Sequence, residues 1–516
     1  MGAFPILLQV IYALCIVGLA LYGFQALWLT WHYVRSARSA DGDYAQPAEW
    51  PSVAVHIPIY NERYVAERII RASADLEYPA GKLAVRVLDD SDDGTRALVD
   101  HVADELRCAG SDITVIRRSD RRGYKAGALA HAMAGEQADL IAVFDADFLP
   151  DSRFLLQTVP ALLAKRNERA GFVQTRWGHL NRENSFLTRC QAMALDGHFV
   201  VEQAGRSAAG FAFGFNGSGG VWRRACIEDS EVGGWQADTL CEDLDLSYRA
   251  QLAGWQGLYL GDIESPAEIP PQLLAFKRQQ FRWAKGSIQT LRKLGSAVWT
   301  SEWRVAKRFA ATLHLGAYLL HPLLLLLLLI ALPLALTGAN PAAPLALLSV
   351  TTVGPPLLYA VGQRRLYGRG WWRQFALLPA LMLLGTGMCL SNTIAAGQAL
   401  FGGDGEFLRT PKFSSTERLA MWQGSSYRLP ISPMVIAESL LAVYALATAA
   451  FSVSAGNFWT APFMLIYAGG FGLVAGYGVW QEWTARAVSR RRGEYAAELW
   501  SGNSSSKPSM ATDSAK

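Results

Sequence analysis

Residues 140–147 read Leu-Ile-Ala-Val-Phe-Asp-Ala-Asp, an apolar run that ends in two carboxylates. A short apolar run of this kind is typical of a buried strand, which places Asp145 and Asp147 at its carboxyl end. Similar runs lie at 53–57 and 85–88, and segments of helical periodicity such as 95–107 separate the runs. Strands that alternate with helices predict an α/β domain with a mainly parallel sheet.

Polar residues also follow the other predicted strands. Tyr60 and Glu62 come after the first run, and Asp89 and Asp90 come directly after the second. In open α/β sheets, ligands bind beyond the carboxyl ends of the strands. Acids delivered to one edge by independent strands therefore indicate a binding site, although Asp and Asn are also ordinary turn and helix-cap residues.

The composition indicates a membrane protein with one substantial soluble domain. The 516 residues are 51% hydrophobic and 18% charged, whereas soluble proteins carry roughly 25% charged residues. The net charge of +4 and the lack of a basic, aromatic-interleaved run give no support for nucleic acid as a partner. Six cysteines without a CxxC pair predict neither a zinc site nor a disulfide framework. Uncharged or strongly apolar stretches lie at 4–31, 309–337, 341–361, 374–400, 436–454 and 458–480.

Positive charges predict the orientation of these stretches. Arg35 and Arg38 follow the first one, which places the soluble domain in the cytosol. The arginine-rich segments 364–373 and 486–492 also favour the cytosol, and both can lie there only if one stretch does not span. The stretch 374–400, interrupted by proline and glycines, is predicted to be interfacial or re-entrant. We therefore expect about five spans: an N-terminal transmembrane helix over 1–35, a cytosolic domain over 45–300, a membrane region with interfacial helices and four spans over 301–485, and a cytosolic, disordered tail over 486–516.

Two further motifs complete a recognisable series. Glu242-Asp243 lies within a CEDLDLS segment, and residues 279–283 read Gln-Gln-Phe-Arg-Trp. In this order, the motifs resemble those of membrane-embedded family-2 glycosyltransferases, and most closely those of plant cellulose-synthase-like mannan and glucan synthases. The resemblance implies a GT-A-like domain inserted between transmembrane helices. It also implies a processive, inverting β-glycosyltransferase that polymerises hexose from UDP-glucose or GDP-mannose and moves the β-glucan or mannan across the membrane.

The resemblance assigns a donor and metal site. Asp145 and Asp147 are expected to hold Mg²⁺ or Mn²⁺, hard cations that take oxygen ligands and bridge phosphates. Lys125 is expected to meet the donor diphosphate as a point charge, although it also fits a surface lysine. The full set of expected donor-binding residues is Tyr60, Glu62, Asp89, Asp90, Lys125, Asp145, Gln279, Arg282, Phe407, Arg409, Thr410 and Lys412.

The same resemblance assigns catalytic and acceptor residues. Asp243 is the expected general base with Glu242 beside it, and Cys241 stands where the family motif has threonine. Trp283 offers a flat apolar face for a sugar ring, and the FGFNG loop contributes Phe215, Asn216 and Gly217 to the acceptor side. Alternatives remain open at this point: the acids fit an exposed helix start, the aromatic-basic motif fits an interfacial helix, and the glycines fit a plain turn.

Residues 407–412, Phe-Leu-Arg-Thr-Pro-Lys, have the spacing of the cellulose synthase gating-loop motif Phe-x-Val-Thr-x-Lys, with Arg409 in place of Val. The resemblance implies that a cytosolic loop over 401–434 covers the bound donor. The alternative is a basic connector that contacts anionic lipid headgroups.

Three functions remain open on sequence grounds. The first is polymer synthesis, with a nucleotide sugar, a growing polysaccharide and the lipid bilayer as partners. The second is a single sugar addition to a lipid such as ceramide, diacylglycerol or polyprenyl phosphate, and the third is a transporter or scaffold with an inactive domain. In each case the chain is expected to be a multi-pass membrane protein, in the inner membrane if bacterial.

Overall fold

A computed structural model gives the structure of the chain. It describes residues 3–36, 44–338, 348, 350–402, 409–414, 422–425 and 427–502, with side chains as far as residue 488.

A seven-stranded mixed sheet forms the centre of the soluble domain. Its strands are β1 (Val53–Ile59), β2 (Leu83–Asp89), β3 (Ile113–Ile116), β4 (Leu140–Val143), β5 (Ala170–His179), β6 (Gly220–Arg223) and β7 (Gln256–Ala267). Their order is β3-β2-β1-β4-β6-β5-β7. The first four are parallel, β6 is antiparallel to β4 and β5, and β7 is parallel to β5. The predicted mainly parallel, GT-A-like fold is confirmed.

Helices cover both faces of this sheet and continue into an apolar region. The helices of the soluble domain are α2 (Ala66–Ala74), α3 (Thr95–Cys108), α4 (Tyr124–Met133), α5 (Phe154–Leu163), α6 (Phe186–Asp196), α7 (Ala204–Ala208), α8 (Arg224–Ile227), α9 (Glu242–Leu252) and α10 (Leu273–Thr300). A π-helical segment, Gly197–Gln203, joins α6 to α7. The remaining helices are α1 (Ala3–Ser36), α11 (Val305–Leu315), α12 (Leu320–Leu336), α13 (Gly354–Tyr367), α14 (Trp371–Phe375), α15 (Leu378–Gly387), α16 (Cys389–Phe401), α17 (Met434–Ser454) and α18 (Thr460–Gly502).

The central strands are apolar throughout because both of their faces are covered. Val55 and Ile57 of β1 pack in one cluster with residues of α2, α3 and α5. Ala54 and Ile141 face the other way and pack with residues of α4, α8 and α9. A parallel sheet buried on both sides reads as a continuous apolar run, and such a run ends where the chain leaves the sheet. The polar residues after each strand therefore gather at one edge.

Among the described residues, four helices are long and apolar enough to cross a membrane by length and composition: Ala3–Ser36, Ala317–Leu336, Met434–Ser454 and Thr460–Val488. The helices α15 and α16 form a pair bent by 47° at a short break, as in a broken span or a re-entrant loop. This break falls inside the stretch 374–400 that was predicted to be interrupted. Whether that stretch spans stays a prediction.

The predicted span 341–361 falls partly on 341–347 and 349, which lie outside the described residues. From Gly354 its described part belongs to α13, a helix of 14 residues that runs on through the arginines to Tyr367. Gln363 of α13 donates a hydrogen bond of 2.9 Å to the buried carboxylate of Asp196, so this helix packs on the soluble domain.

The prediction of a disordered tail from residue 486 is wrong as far as Gly502, because α18 continues to that residue. Residues 503–516 lie outside the described residues. Arg, Ala and Glu, which favour helices, dominate 486–499. Extending an existing helix also avoids the cost of a new nucleus, which the composition of an isolated tail does not reveal.

Candidate active site

A cleft opens at the carboxyl ends of β1, β2 and β4, between α4, α9 and α10. A short segment without regular secondary structure, residues 409–412, contributes Arg409, Thr410 and Lys412 to its lining and is called the strap below. The structure brings most of the predicted site residues together here. Those that line the cleft are Tyr60, Glu62, Asp90, Lys125, Asp145, Asp147, Asn216, Glu242, Asp243, Gln279, Arg282, Trp283, Arg409, Thr410 and Lys412.

Asp89, predicted to bind the donor, is not among the residues that line the cleft, and its role in donor binding stays a prediction. Its side chain is buried and accepts two hydrogen bonds from the guanidinium of Arg117, at 2.9 and 2.7 Å. It also accepts the backbone N–H of Ser91 at 3.0 Å. Successive side chains alternate at the end of a strand, so Asp90 points into the cleft while Asp89 holds the turn behind it.

The predicted acceptor residues Phe215 and Gly217 also stand behind the cleft wall. Phe215 is 1% exposed and packs against Phe172 and Trp222, so it belongs to the core. Gly217 has a φ of +81°, and a Cβ there would lie 2.7 Å from an Asp243 carboxylate oxygen. Glycine is therefore required by both backbone and space. The predicted donor residue Phe407 lies outside the described residues.

The two acids after β4 each meet a lysine. Lys125 Nζ donates to Asp145 Oδ1 at 2.6 Å and to the Gly217 carbonyl at 2.9 Å. Lys412 of the strap forms an ion pair with Asp147 Oδ2. The other Asp147 oxygen, Oδ1, is buried and has no hydrogen-bond partner in the described part of the chain.

Glu242 and Asp243 start α9 on the opposite wall of the cleft. Lys125 Nζ lies 3.6 Å from Glu242 Oε1, so this lysine bridges Asp145 after β4 and Glu242 of α9. Burial and the neighbouring Glu242 carboxylate raise the pKa of Asp243 to about 7, while Lys125 opposes the shift. For Lys125, burial favours the neutral amine, but Asp145, Glu242 and Asp243 together outweigh it and raise the pKa.

Glu62, which follows β1, is buried under the strap. Burial raises its pKa to about 7, and Asp147 and Asp145 add to the shift, whereas Lys412 and Arg409 lower it. The Arg409 guanidinium lies 3.8 Å from Glu62 Oε1 and donates to the Asn61 carbonyl. Strap and cleft therefore meet through opposite charges.

The strap is anchored on the soluble domain by more than charge. Thr410 is 3% exposed, and the Arg409 guanidinium stacks on Tyr427 at 4.5 Å from the ring centroid. The Tyr427 hydroxyl in turn hydrogen-bonds to Asp93, next to α3. In this structure the strap closes the cleft over the acids after β4.

Sequence reasoning missed several residues of the cleft. Arg121 stacks on Tyr60, with its guanidinium carbon 3.2 Å from the ring centroid, and Tyr124 lies 5.5 Å from the same guanidinium. Arg118 forms a bidentate pair with Asp90. Tyr124 directly precedes Lys125 and Arg121 lies four positions before it, so closeness to Lys125 in the sequence was the available signal.

The far end of the cleft is aromatic. The ring centroids of Trp283 and Trp177 lie 6.4 Å apart with the ring planes tilted by 55°, and Trp177 also stacks on Phe199 at 5.0 Å. His179 lines the cleft beside Trp177, and its Nε2 lies 3.2 Å from Asp196. Trp177 and His179 stand two apart on β5, where the alternation of a strand puts them on the same face.

Comparisons with known proteins agree with this architecture. Residues 51–286 match the model of a family described as "Glycosyltransferase like family 2". These residues form a family 2 glycosyltransferase domain. The glycosyltransferase domain thus takes in every strand of the sheet and the first half of α10.

Curated relatives resemble the glycosyltransferase domain closely. The chain is 42% identical over 287 residues to "Probable glucomannan 4-beta-mannosyltransferase 7" of Oryza sativa subsp. japonica. The matched stretch covers 55% of this chain and 48% of the relative. It is 41% identical over 259 residues to "Glucomannan 4-beta-mannosyltransferase 7" of Arabidopsis thaliana, covering 49% and 46%. The chain therefore spans about half the length of the curated relatives it matches.

Among solved structures, the mannosyltransferase PcManGT from Pyrobaculum calidifontis, in complex with GDP-Man and Mn²⁺, is 21% identical to this chain. The match covers 76% of this chain and 100% of that one, with a TM-score of 0.49.

Proposed function

We propose that this chain is a membrane-embedded, inverting hexosyltransferase that transfers mannose from GDP-mannose to a growing β-linked polysaccharide. One observation carries the proposal: in a single cleft, Lys125 bridges Asp145, which follows β4, and Glu242, which stands next to Asp243 at the start of α9. Relatives named as glucomannan mannosyltransferases, 41–42% identical over the domain, support mannose as the sugar.

Asp145 and Asp147 are the proposed residues for Mg²⁺ or Mn²⁺. The buried, unpartnered Oδ1 of Asp147 fits this role, because a buried carboxylate oxygen without a donor is costly unless a cation meets it. Within the described residues, no group of three His, Cys, Asp or Glu could hold a metal alone. Mg²⁺ often takes only one or two carboxylates and completes its shell with phosphates and water. When bound, the ion would neutralise the donor diphosphate as the sugar departs.

The remaining residues divide between donor and acceptor. Lys125 and Arg282 are proposed to neutralise the diphosphate, and the Tyr60–Arg121 stack to carry the nucleoside end. Trp283 and Trp177 offer flat faces for acceptor sugar rings. Asp243 is proposed to take the proton from the acceptor hydroxyl as that oxygen attacks the anomeric carbon, and a pKa near neutrality suits a general base.

Apolar helices on both sides of the domain support polymer export over a single addition. The domain lies between α1 and the later candidate spans, and the strap connects α16 to α17. A closed cleft next to a bundle of spans suits a product that leaves through the membrane, whereas a lipid acceptor would enter from the bilayer side.

The proposal is tested with membranes that contain the full chain. Labelled GDP-mannose and UDP-glucose are supplied in turn, and the product is sized and digested with a β-mannan-specific hydrolase. We expect high-molecular-weight product from GDP-mannose that the hydrolase degrades. Label that extracts into organic solvent would favour the lipid acceptor instead, and no donor turnover with either sugar would contradict the enzyme proposal.

The orientation yields a separate prediction. Cys108 is exposed and is first replaced by serine, so that it does not react. An Arg369→Cys variant, in the turn before α14, should react with a membrane-impermeant thiol reagent only from the cytosolic side. A Trp459→Cys variant, in the exposed turn between α17 and α18, should react only from the other side. Reaction of both positions from one side would contradict the proposed topology.

The strap yields another prediction. Lys412→Ala removes the ion pair that holds the strap against Asp147, so the lid should exclude water less well and turnover should fall by about tenfold or more. Lys165→Ala, at an exposed lysine remote from the cleft, is the matched control. Both are assayed in detergent without anionic lipid. Wild-type turnover of Lys412→Ala there would favour a lipid-contacting connector and contradict the lid.

A further inference from the structure

The amino-terminal end of α10 is held by buried polar contacts to the membrane helices. Lys277 and Glu438 of α17 form an ion pair, although they are 161 residues apart and are 7% and 1% exposed. Burying two charges is costly, and an ion pair of this kind rarely adds net stability over a well-packed apolar pair. Its geometry therefore calls for an explanation other than stability.

Two glutamines hold the same helix end. The side-chain amide of Gln272 donates to the Leu429 carbonyl at 2.7 Å and accepts the Leu429 N–H at 3.2 Å. Gln481 of α18 accepts the N–H of Leu273 at 2.8 Å and donates to the Pro271 carbonyl at 3.0 Å. Each glutamine makes a reciprocal pair with backbone, which fixes both distance and direction.

These three contacts, the α10 clamp, join the helix to three different partners. Leu429 belongs to the segment between the strap and α17, Glu438 lies on α17 and Gln481 on α18. A local capping residue would be enough to satisfy the free N–H groups at the start of a helix. Here the partners come from the part of the chain that follows the strap.

The clamp lies close to the chemistry but on the other side of the helix. Gln279, Arg282 and Trp283 follow Lys277 by two, five and six positions, which places them about 140° to 240° around the helix axis from it. One face of α10 therefore points into the cleft, while the opposite face is tied to the membrane helices. A shift of the clamp moves Arg282 and Trp283 relative to Asp243, which stands on a separate helix.

We propose that the Lys277–Glu438 pair positions the cleft face of α10, so that the membrane helices set the distance from Arg282 and Trp283 to the base. Both are positioning residues, since neither lines the cleft. The inference rests on the proposed function and adds a route by which α17 and the strap segment act on the transfer step. Misplacement of a reacting group by about 1 Å costs on the order of 100-fold in rate.

The test uses the purified full chain and measures kcat and KM for GDP-mannose separately. Glu438→Gln and Lys277→Gln should each lower kcat by about 10- to 100-fold. The donor KM should change less than kcat, because Arg282 is a proposed donor contact on α10, whereas Lys125, Tyr60 and Arg121 lie on other elements and keep their places. Lys277→Arg keeps the pair and should retain most of the activity, and the exchange Lys277→Glu with Glu438→Lys should restore much of the lost kcat.

Glu136→Gln is the matched control, because it also removes a buried, ion-paired carboxylate. Glu136 precedes β4 and therefore lies away from the carboxyl ends of the strands, where the cleft opens. If the single variants do not fold, the double variant Lys277→Met with Glu438→Gln replaces them, since it leaves no unpaired charge. Wild-type kcat in folded single or double variants overturns the inference, as does a folded exchange variant no faster than the singles. An inactive wild type would instead refute the proposed function.

Discussion

Replacing Asp243 with asparagine is expected to lower transfer by about 10² to 10⁴-fold, the range for losing a general base, while donor binding persists. Asparagine keeps the shape and can still accept the hydrogen bond from the Leu244 N–H, at 2.8 Å in the wild type. It cannot take a proton from the acceptor hydroxyl. Donor affinity, measured by calorimetry, should therefore stay close to that of the wild type, while the transfer rate, measured by labelled product, should fall.

Asp238→Asn is the matched control, since Asp238 is an exposed carboxylate in the loop before α9 and pairs with Lys293 at 2.8 Å. It should transfer at the wild-type rate. Unchanged turnover in Asp243→Asn would remove the residue from the base role, and weaker donor binding in that variant would move it to the donor side.

The pH profile tests the same assignment. A base must be deprotonated to act, so kcat should fall as the pH is lowered through about 7, the raised pKa of Asp243. Part of that elevation comes from the Glu242 carboxylate next to it, after burial. Glu242→Gln should therefore move the acid limb to lower pH. If the pH at which kcat falls is unchanged in Glu242→Gln, another group, such as Glu62, controls the acid limb of the profile.

The sequence predicted the structure correctly where the pattern of neighbouring residues alone determines it. The run at 140–143 predicts a buried strand because both faces of the sheet are covered, and Asp145 and Asp147 follow it at the cleft edge as expected. Asp89 shows the limit of this rule. Residues at a strand end point to opposite sides, and the sequence did not show that Arg117 would bind Asp89 while Asp90 faced the cleft.

Other contacts depend on distant parts of the chain and have no local signature. Trp177 reads as an ordinary strand residue until the fold brings it to Trp283. Lys277 reads as one more base on an amphipathic helix, and Glu438 as an isolated acid in an apolar stretch. Only the folded chain, in which Lys277 of α10 meets Glu438 of α17, shows that the two form one buried pair.

The second large effect is expected at Asp147. Asp147→Ala should abolish the metal-dependent part of donor binding, because it removes one of only two carboxylates proposed for the ion. Loss of a mere outer-shell partner of a metal ligand already costs about 10- to 100-fold in affinity, so loss of the ligand should cost about 100-fold or more. GDP-mannose affinity is measured by calorimetry with Mn²⁺ and with a chelator.

The strap makes this experiment sharper, because Lys412 pairs with Asp147 Oδ2 while the proposed cation would meet Oδ1, so the two positive charges compete for one carboxylate. Lys412→Ala should therefore bind Mn²⁺ at least as well as the wild type, while Asp147→Ala should not respond to it. Asp151→Asn, at an exposed carboxylate in the same loop, controls for a general change of charge. Wild-type affinity that still depends on Mn²⁺ in Asp147→Ala would remove this residue from the metal site. The wild type with chelator measures donor binding without the ion. If Asp147→Ala loses as much donor affinity with chelator as with Mn²⁺, the fold is damaged.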